Sequence, residues 1–276
     1  MAGAVRTGCS SWTSESWWGT VYPRGLPPGD RLSVYARRYD TVEVDASYYR
    51  DPGAALVRRW RKATPDGFVF AMKFPRELLD PKVPVDREKV AAFESHAREL
   101  GPKLGPLLLQ FPPWVKPGRA GRFLRELLGA LDPELRHAVE LRDAGWFQGA
   151  EREALLRDLR DRGIALAWSY LTYVDVPSEL TTNFVYLRFI GDHTTVPAEV
   201  HGGLRVDRSE ETKRWAARVA AVLDRLENAF AYFNNHFAGF APESVNLFRA
   251  ELGLEPIDYA PEAPGNPSGG HQLRLP

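Results

Sequence analysis

A single cysteine, Cys9, in 276 residues excludes an intrachain disulfide. Net charge is also lacking: 36 Lys and Arg balance 36 Asp and Glu, so no global field gathers nucleic acid or acidic lipid, although a local basic cleft stays open. No stretch approaches the length of a membrane-spanning helix, and no basic segment leads into a long apolar run near the N-terminus. A soluble protein of the reducing cytoplasm, without a membrane role, is the expectation. Two catalytic signatures are missing as well. No Gly-rich phosphate fingerprint follows the first candidate strand, which speaks against a dinucleotide-binding fold. No elbow-type motif carries a Ser or Cys nucleophile, and Cys9, at the end of an apolar strand, reads as a small core residue.

What is present is aromatic and strictly patterned. Eight Trp, ten Tyr and fourteen Phe accompany 44% hydrophobic and 26% charged residues, ordinary for a globular protein with a large core. The chain is organised around Val139-Glu140-Leu141-Arg142-Asp143-Ala144-Gly145-Trp146, where an apolar run delivers an acid and a base two residues apart, on one side of a strand. The same grammar recurs at Val42-Glu43-Val44-Asp45, at Met72-Lys73, at Gln110 after three leucines, at Arg188 after Val185-Tyr186-Leu187, and at Asn234-Asn235-His236. A buried parallel strand carries a charge only where the charge emerges at its end, so these polar ends are expected to meet in one place.

Strands are expected at 4–9, 41–45, 68–73, 106–110, 137–142, 164–168, 184–189 and 229–234. Helical spacing fills 30–39, 53–62, 86–100, 119–131, 149–162, 210–226 and 242–252. Between Trp168 and Asn183 no helix is expected, so the sixth connection should be irregular. Eight strands alternating with about seven helices make a single-domain α/β fold, a (β/α)8 TIM-type barrel over residues 1–254. Residues 255–276, Pro- and Gly-rich with few apolar side chains, read as a mobile C-terminal tail.

In such a barrel the C-terminal strand ends line one mouth, where active sites sit. Glu43 and Glu140 are the candidate general acid and base, since two carboxylates in different surroundings are the usual apparatus. Arg142 and Arg188 would clamp a carboxylate or phosphate, and Lys73 adds a point charge or a tunable amine. Gln110, Asn234 and Asn235 would orient the substrate through neutral hydrogen bonds, with Trp12, Trp18, Tyr49 and Trp146 as its aromatic contacts. The loop holding Trp17, Trp18 and Tyr22 reads either as a hydrophobic plug over a barrel end or as a ligand-stacking surface. No cofactor is required. If a divalent metal is used, Glu43, Asp45, Glu140 and His236 are the ligands available, although one His is thin support.

The strand-end motifs also carry a resemblance. Gly8 to Trp12 with Trp18-Gly19 and Tyr22-Pro23, Thr41-Val42-Glu43-Val44, Tyr48-Tyr49-Arg50, Gln110-Phe111-Pro112-Pro113, Val139-Glu140-Leu141-Arg142 with Trp146, Tyr186-Leu187-Arg188 and Tyr232-Phe233-Asn234-Asn235 resemble the domain of unknown function 72 family, also called YecE-like. The resemblance covers about residues 4 to 252. It implies a TIM-type barrel, brings no settled activity, and matches at Glu43, Glu140, Arg142, Arg188, Asn234 and Asn235. Three family histidines are absent: Arg76-Glu77-Leu78-Leu79 stands where Thr-His is usual, Asp143 follows the strand-five Arg, and Ile190 precedes Gly191. Asp45 replaces a usual Asn.

These readings favour an enzyme with hydrolase- or lyase-type acid/base chemistry on an anionic, phosphate- or carboxylate-bearing substrate. A divalent-metal phosphodiesterase or nuclease and a non-catalytic protein binding an anionic ligand are the alternatives. Nucleic acid as a partner is not favoured, and the oligomeric state is not legible.

Overall fold

The computed structural model describes residues 3–261. Its elements in chain order are β1 (Ala4–Cys9), α1 (Arg31–Ala36), β2 (Thr41–Val44), α2 (Gly53–Lys62), β3 (Val69–Lys73), α3 (Arg87–Arg98), β4 (Leu104–Gln110), α4 (Arg119–Leu128) and β5 (His137–Glu140). They continue with α5 (Gly149–Asp161), β6 (Ala165–Leu166), β7 (Trp168–Tyr170), β8 (Phe184–Phe189), α6 (Ser209–Ala220), β9 (Asn228–Phe233), α7 (Asn235–Ala238) and α8 (Ala241–Glu251). β6 and β7 are one barrel strand interrupted at Ala167, whose N–H still bonds the Val139 carbonyl of β5.

All strand pairs are parallel, in two runs ordered β1-β9-β8-β7 and β2-β3-β4-β5-β6. The runs are continuous through β6–β7 at one side. At the other they meet at β1–β2, where Ser10 and Glu43 form a bridge. The seam there is closed by a side chain: the Tyr35 hydroxyl of α1 accepts from the Cys9 N–H (2.8 Å) and donates to the Thr41 carbonyl (3.0 Å). Gly8 is required beside it, because a Cβ would sit 2.2 Å from the Thr41 oxygen. Thr181, from the irregular sixth connection, serves β6 in the same way, accepting from Leu166 N–H and donating to Ile164 C=O. The result is the (β/α)8 barrel.

Period-two alternation sorts each strand into an outer face, under the helices, and an inner face. Inside, Ala71, Ala138, Ala165 and Ala167 lie opposite Phe184, Tyr186, Phe230 and Tyr232, so the large rings of β8 and β9 fill the space that small residues on β3, β5 and β6 leave. Two hydroxyls cross from these rings to β2: Tyr232 meets Thr41 Oγ1 at 2.8 Å and Tyr186 donates to Glu43 at 2.8 Å. One period further along, the inner face turns polar on every strand: Ser10, Glu43, Lys73, Gln110, Glu140, Ser169, Arg188 and Asn234. That layer is the floor of the mouth.

Two details depart from the sequence reading. A one-turn helix, α7, follows β9, capped by Asn234, whose side chain accepts from His236 N–H. Of the tail expected over 255–276, residues 255–261 lie against the barrel: Asn246 and Ile257 exchange hydrogen bonds of 3.0 and 2.8 Å, and Tyr259 packs edge-on to Phe240. Residues 262–276 lie outside the described residues.

Candidate functional site

Glu43 on β2 and Glu140 on β5 have no exposed surface, and Arg188 on β8 is buried between them. The guanidinium grips Glu43 with two donors, Nε to Oε2 at 2.7 Å and Nη2 to Oε1 at 2.8 Å, and gives its remaining nitrogen to Glu140 Oε2. Tyr186 adds a donor to Glu43, and Ser169 donates to Glu140 at 2.9 Å. Lys73 lies 3.3 Å from Glu43 Oε1 and also pairs with Asp45, while Arg142 Nε bonds Glu140 Oε1. Three carboxylates therefore face three cations in one connected array drawn from four strands.

The protonation states follow from that pairing. Burial by itself pushes the Glu43 carboxyl up, but the charges of Arg188 and Lys73 outweigh it and hold the group well below the usual carboxylate range. Burial likewise works against ionised Glu140, yet Arg142 and Arg188 bring it down to about 2. Both are ionised at neutral pH. Arg188, whose own burial would favour losing the charge, is kept a cation by Glu140 and Glu43. The expected acid and base, Glu43 and Glu140, thus share one guanidinium that depresses both carboxyls. Arg188, expected as an anion clamp, has all three of its nitrogens engaged by the protein's own carboxylates.

Arg142 is the cation that opens toward the mouth, 15% exposed. Tyr173, Tyr48 and His193 all feel its charge. Tyr48 also borders a cleft of about 580 Å³, whose other walls include Tyr49, Arg76, Pro112 and Trp114. Tyr49 and Trp114 are exposed there, each with a cation over its ring, Arg76 at 5.9 Å and Lys82 at 5.3 Å.

The remaining candidates fall elsewhere. Trp146 is buried, its indole N–H bonded to the Val115 carbonyl. Trp12 packs edge-on to Trp60, and Trp18 lies under Arg31 and bonds Glu15, so the aromatic loop is a plug rather than a stacking platform. Asn235 is spent on the Trp17 indole, the Ala241 N–H and the Ser14 hydroxyl. His236 does not join the carboxylates. It stands with His193 and His201, ring centroids 3.7 and 4.5 Å away, and bonds the Val196 carbonyl. Burial, then neighbouring His236, lowers the pKa of both His193 and His201, so both are neutral at pH 7.

Metal binding at Glu43, Asp45, Glu140 and His236 does not fit this arrangement. The carboxylate oxygens already face Arg188, Lys73 and Arg142, and an added dication would meet three cations. Among the described residues no group of three or more His, Cys, Asp or Glu is placed to hold a metal ion.

Sequence reasoning missed Tyr48, Tyr173, Ser169, Tyr186 and the pair His193 and His201. Ser169 and Tyr186 share the inward period of Glu140 and Arg188 and could have been found from it. The others sit in loops, where no periodicity reports which way a side chain turns.

Two kinds of relative share this architecture. The chain is 25% identical to the UPF0759 protein YunF of Bacillus subtilis over 93% of its length and 98% of the relative's. It is 33% identical to the UPF0759 protein YecE of Escherichia coli over 48% of its length and 49% of that protein's. Among solved structures, a DUF72 family protein of Enterococcus faecalis superposes with a TM-score of 0.75 at 23% identity, covering 94% of this chain and 99% of that one. One from Thermotoga maritima gives 0.72 at 24% identity, over 91% and 99%. The family model described as "Protein of unknown function DUF72" matches residues 6–268, and the chain belongs to that family.

Proposed function

We propose that the mouth is the active site of an enzyme that carries out hydrolase- or lyase-type chemistry on an anionic small molecule. The observation that carries this is the buried array itself. Four charges taken from water onto one barrel floor, Glu43, Lys73, Glu140 and Arg188, with Asp45 and Arg142 at its rim, cost more than apolar residues of the same size would, and they lie at the strand ends where barrel enzymes keep their chemistry. Arg142 is the anion contact, with Tyr48 and Tyr173 beside it. Glu140, ionised and oriented by Arg142, Arg188 and Ser169, is the carboxylate available to accept a proton or stabilise developing positive charge. Glu43 positions Arg188. The partner in proton transfer then lies outside the carboxylate pair, and His193, neutral and within the field of Arg142, is suited to accept a proton and return it as the imidazolium.

One observation favours a second reading, a non-catalytic pocket for an anionic ligand: neither carboxylate has a pKa near neutrality. A single experiment separates the two. Wild type, Glu140→Gln and Arg142→Gln are screened against a library of anionic metabolites for both thermal stabilisation and product formation. The enzyme reading expects turnover by wild type, binding without turnover by Glu140→Gln, and loss of both by Arg142→Gln. Stabilisation of wild type with no product from any stabilising compound would establish the binding reading instead.

A further inference from the structure

Beside the charged floor lies a cavity of about 230 Å³ between the ends of β1 and β9, walled by Ser10, Ser11, Trp17, His201, Asn234 and His236 among others. None of its lining residues is an acid, a lysine or an arginine. The contrast with the neighbouring array is sharp, because Ser10 bridges to Glu43 itself.

Three features mark this cavity as a place where something binds. The Ser10 hydroxyl is buried without a hydrogen-bond partner, which costs about 1–3 kcal/mol unless a ligand or water supplies one. Asn234 uses its side-chain oxygen to cap α7, leaving its amide N–H groups without a protein acceptor among the described residues. Ser11, at φ 113°, is the one non-glycine residue with positive φ among those described, a strain of about 1–3 kcal/mol that barrels tolerate mostly around functional sites. A hydroxyl, an amide and two imidazoles each form directional bonds, and no acid, lysine or arginine stands among them. An apolar ligand would leave them unsatisfied, and an anion alone would find no cation. A ligand surfaced with hydroxyls matches them. The volume corresponds to roughly eight waters at about 30 Å³ each, the room of one sugar ring.

The cavity adjoins the array. Ser10 on one wall bridges Glu43, and on another wall the His236 ring lies with its centroid 3.7 Å from that of His193, the planes inclined at 52°. We propose that the cavity is the sugar subsite of the mouth, and that the substrate is an anionic monosaccharide, its hydroxyls on Ser10, Asn234 and His236 and its anionic group toward Arg142. This rests on the anion-binding reading above and adds the substrate class to it. The shared chemistry is a sugar ring with one negative group, which a sugar phosphate or a uronic acid supplies.

The test is saturation-transfer NMR of the full chain with a millimolar panel of pentoses, hexoses, their monophosphates and uronic acids, and with inorganic phosphate and acetate as ring-free anions. Anionic sugars should bind about tenfold or more tighter than either their neutral parents or the ring-free anions, and the panel's phosphate and uronate arms identify the anionic group. Ser10→Val, which fills the cavity with methyls, should remove that advantage while leaving ring-free anion binding intact. Asn234→Ser, whose hydroxyl can keep the α7 cap but which loses the amide donor without adding a charge, does the same should Ser10→Val not fold. Anionic sugars that bind no better than ring-free anions, or that bind the two variants as well as wild type, overturn the subsite and leave the anion reading standing. Ring-free anions and sugars alike failing to bind wild type overturns both.

Discussion

Arg188 decides the character of the floor. It is a buried cation with two buried carboxylates, and removing one partner from such a set leaves uncompensated charge in a dry interior. Replacing it with Met should destabilise the fold by about 3–5 kcal/mol at pH 7. The pH dependence supplies the sharper check. In wild type both carboxyls are depressed, so stability between pH 7 and 5 does not depend on them. Without the guanidinium, Glu140 is still held down by Arg142, but Glu43 loses the larger of the two charges that outweigh its burial. Its carboxyl should rise, so the variant should gain stability relative to wild type as pH falls from 7 to 5. Urea unfolding at the two pH values measures this, and a variant that loses stability relative to wild type over that interval would contradict the assignment. The sequence made Glu43, Glu140 and Arg188 legible because a period of two fixes the face of a strand on which a charge lies. It did not tell what that charge would meet. Partner choice belongs to the closed barrel, where β8 stands across from β2 and β5, and so a clamp for substrate was read where an internal tie exists.

Among the elements, α1 has a role its pattern hid. Leu32, Tyr35, Ala36 and Tyr39 read as an apolar stripe, and all four are buried as that predicts. Yet the two tyrosines differ. The Tyr35 hydroxyl stands in for the missing ladder between β1 and β2, whereas the hydroxyl of Tyr39, three residues beyond the helix and with its ring stacked on that of Tyr35 at 4.4 Å, is buried with no partner. Tyr35→Phe should therefore cost about 2–5 kcal/mol, from a buried N–H and a buried C=O both left unsatisfied, and Tyr39→Phe should be neutral or mildly stabilising. Hydrogen exchange at the Cys9 amide should quicken in the first variant alone. Equal effects of the two substitutions on unfolding would mean that the seam does not depend on the relay. Strand and helix positions were readable throughout the chain because burial imposes period two or 3.6 on the residues. The seam was not readable, since a hydroxyl inside an apolar stripe has the same periodicity whether it is bonded or idle.

At the scale of the whole molecule, the array ties the two runs of strands together: Glu43, Lys73 and Glu140 come from one run and Arg188 and Ser169 from the other. Acid should therefore act on the fold as a unit, in two windows whose signs follow from the shifts. His193 and His201 sit below their ordinary 6.5, so the stability they contribute is complete above that value and is lost as pH falls through it; their exposure keeps this step small. Glu43 and Glu140 sit below 4.5, so theirs is complete above 4.5 and lost as pH drops toward 2. Asp40, raised by its burial, opposes this trend, but one half-exposed carboxyl does not offset two buried ones. The second window should be steep. Once the two glutamates are protonated, Arg188 remains a buried cation that cannot shed its proton, and the only way to hydrate it is to part the strands. Denaturant midpoints taken at pH 8, 6, 5, 4 and 3 should fall slightly between 8 and 5 and sharply below 4.5, with tryptophan fluorescence and far-UV circular dichroism moving together. A midpoint that stays level from pH 5 to 3 would show that the array does not hold the barrel closed.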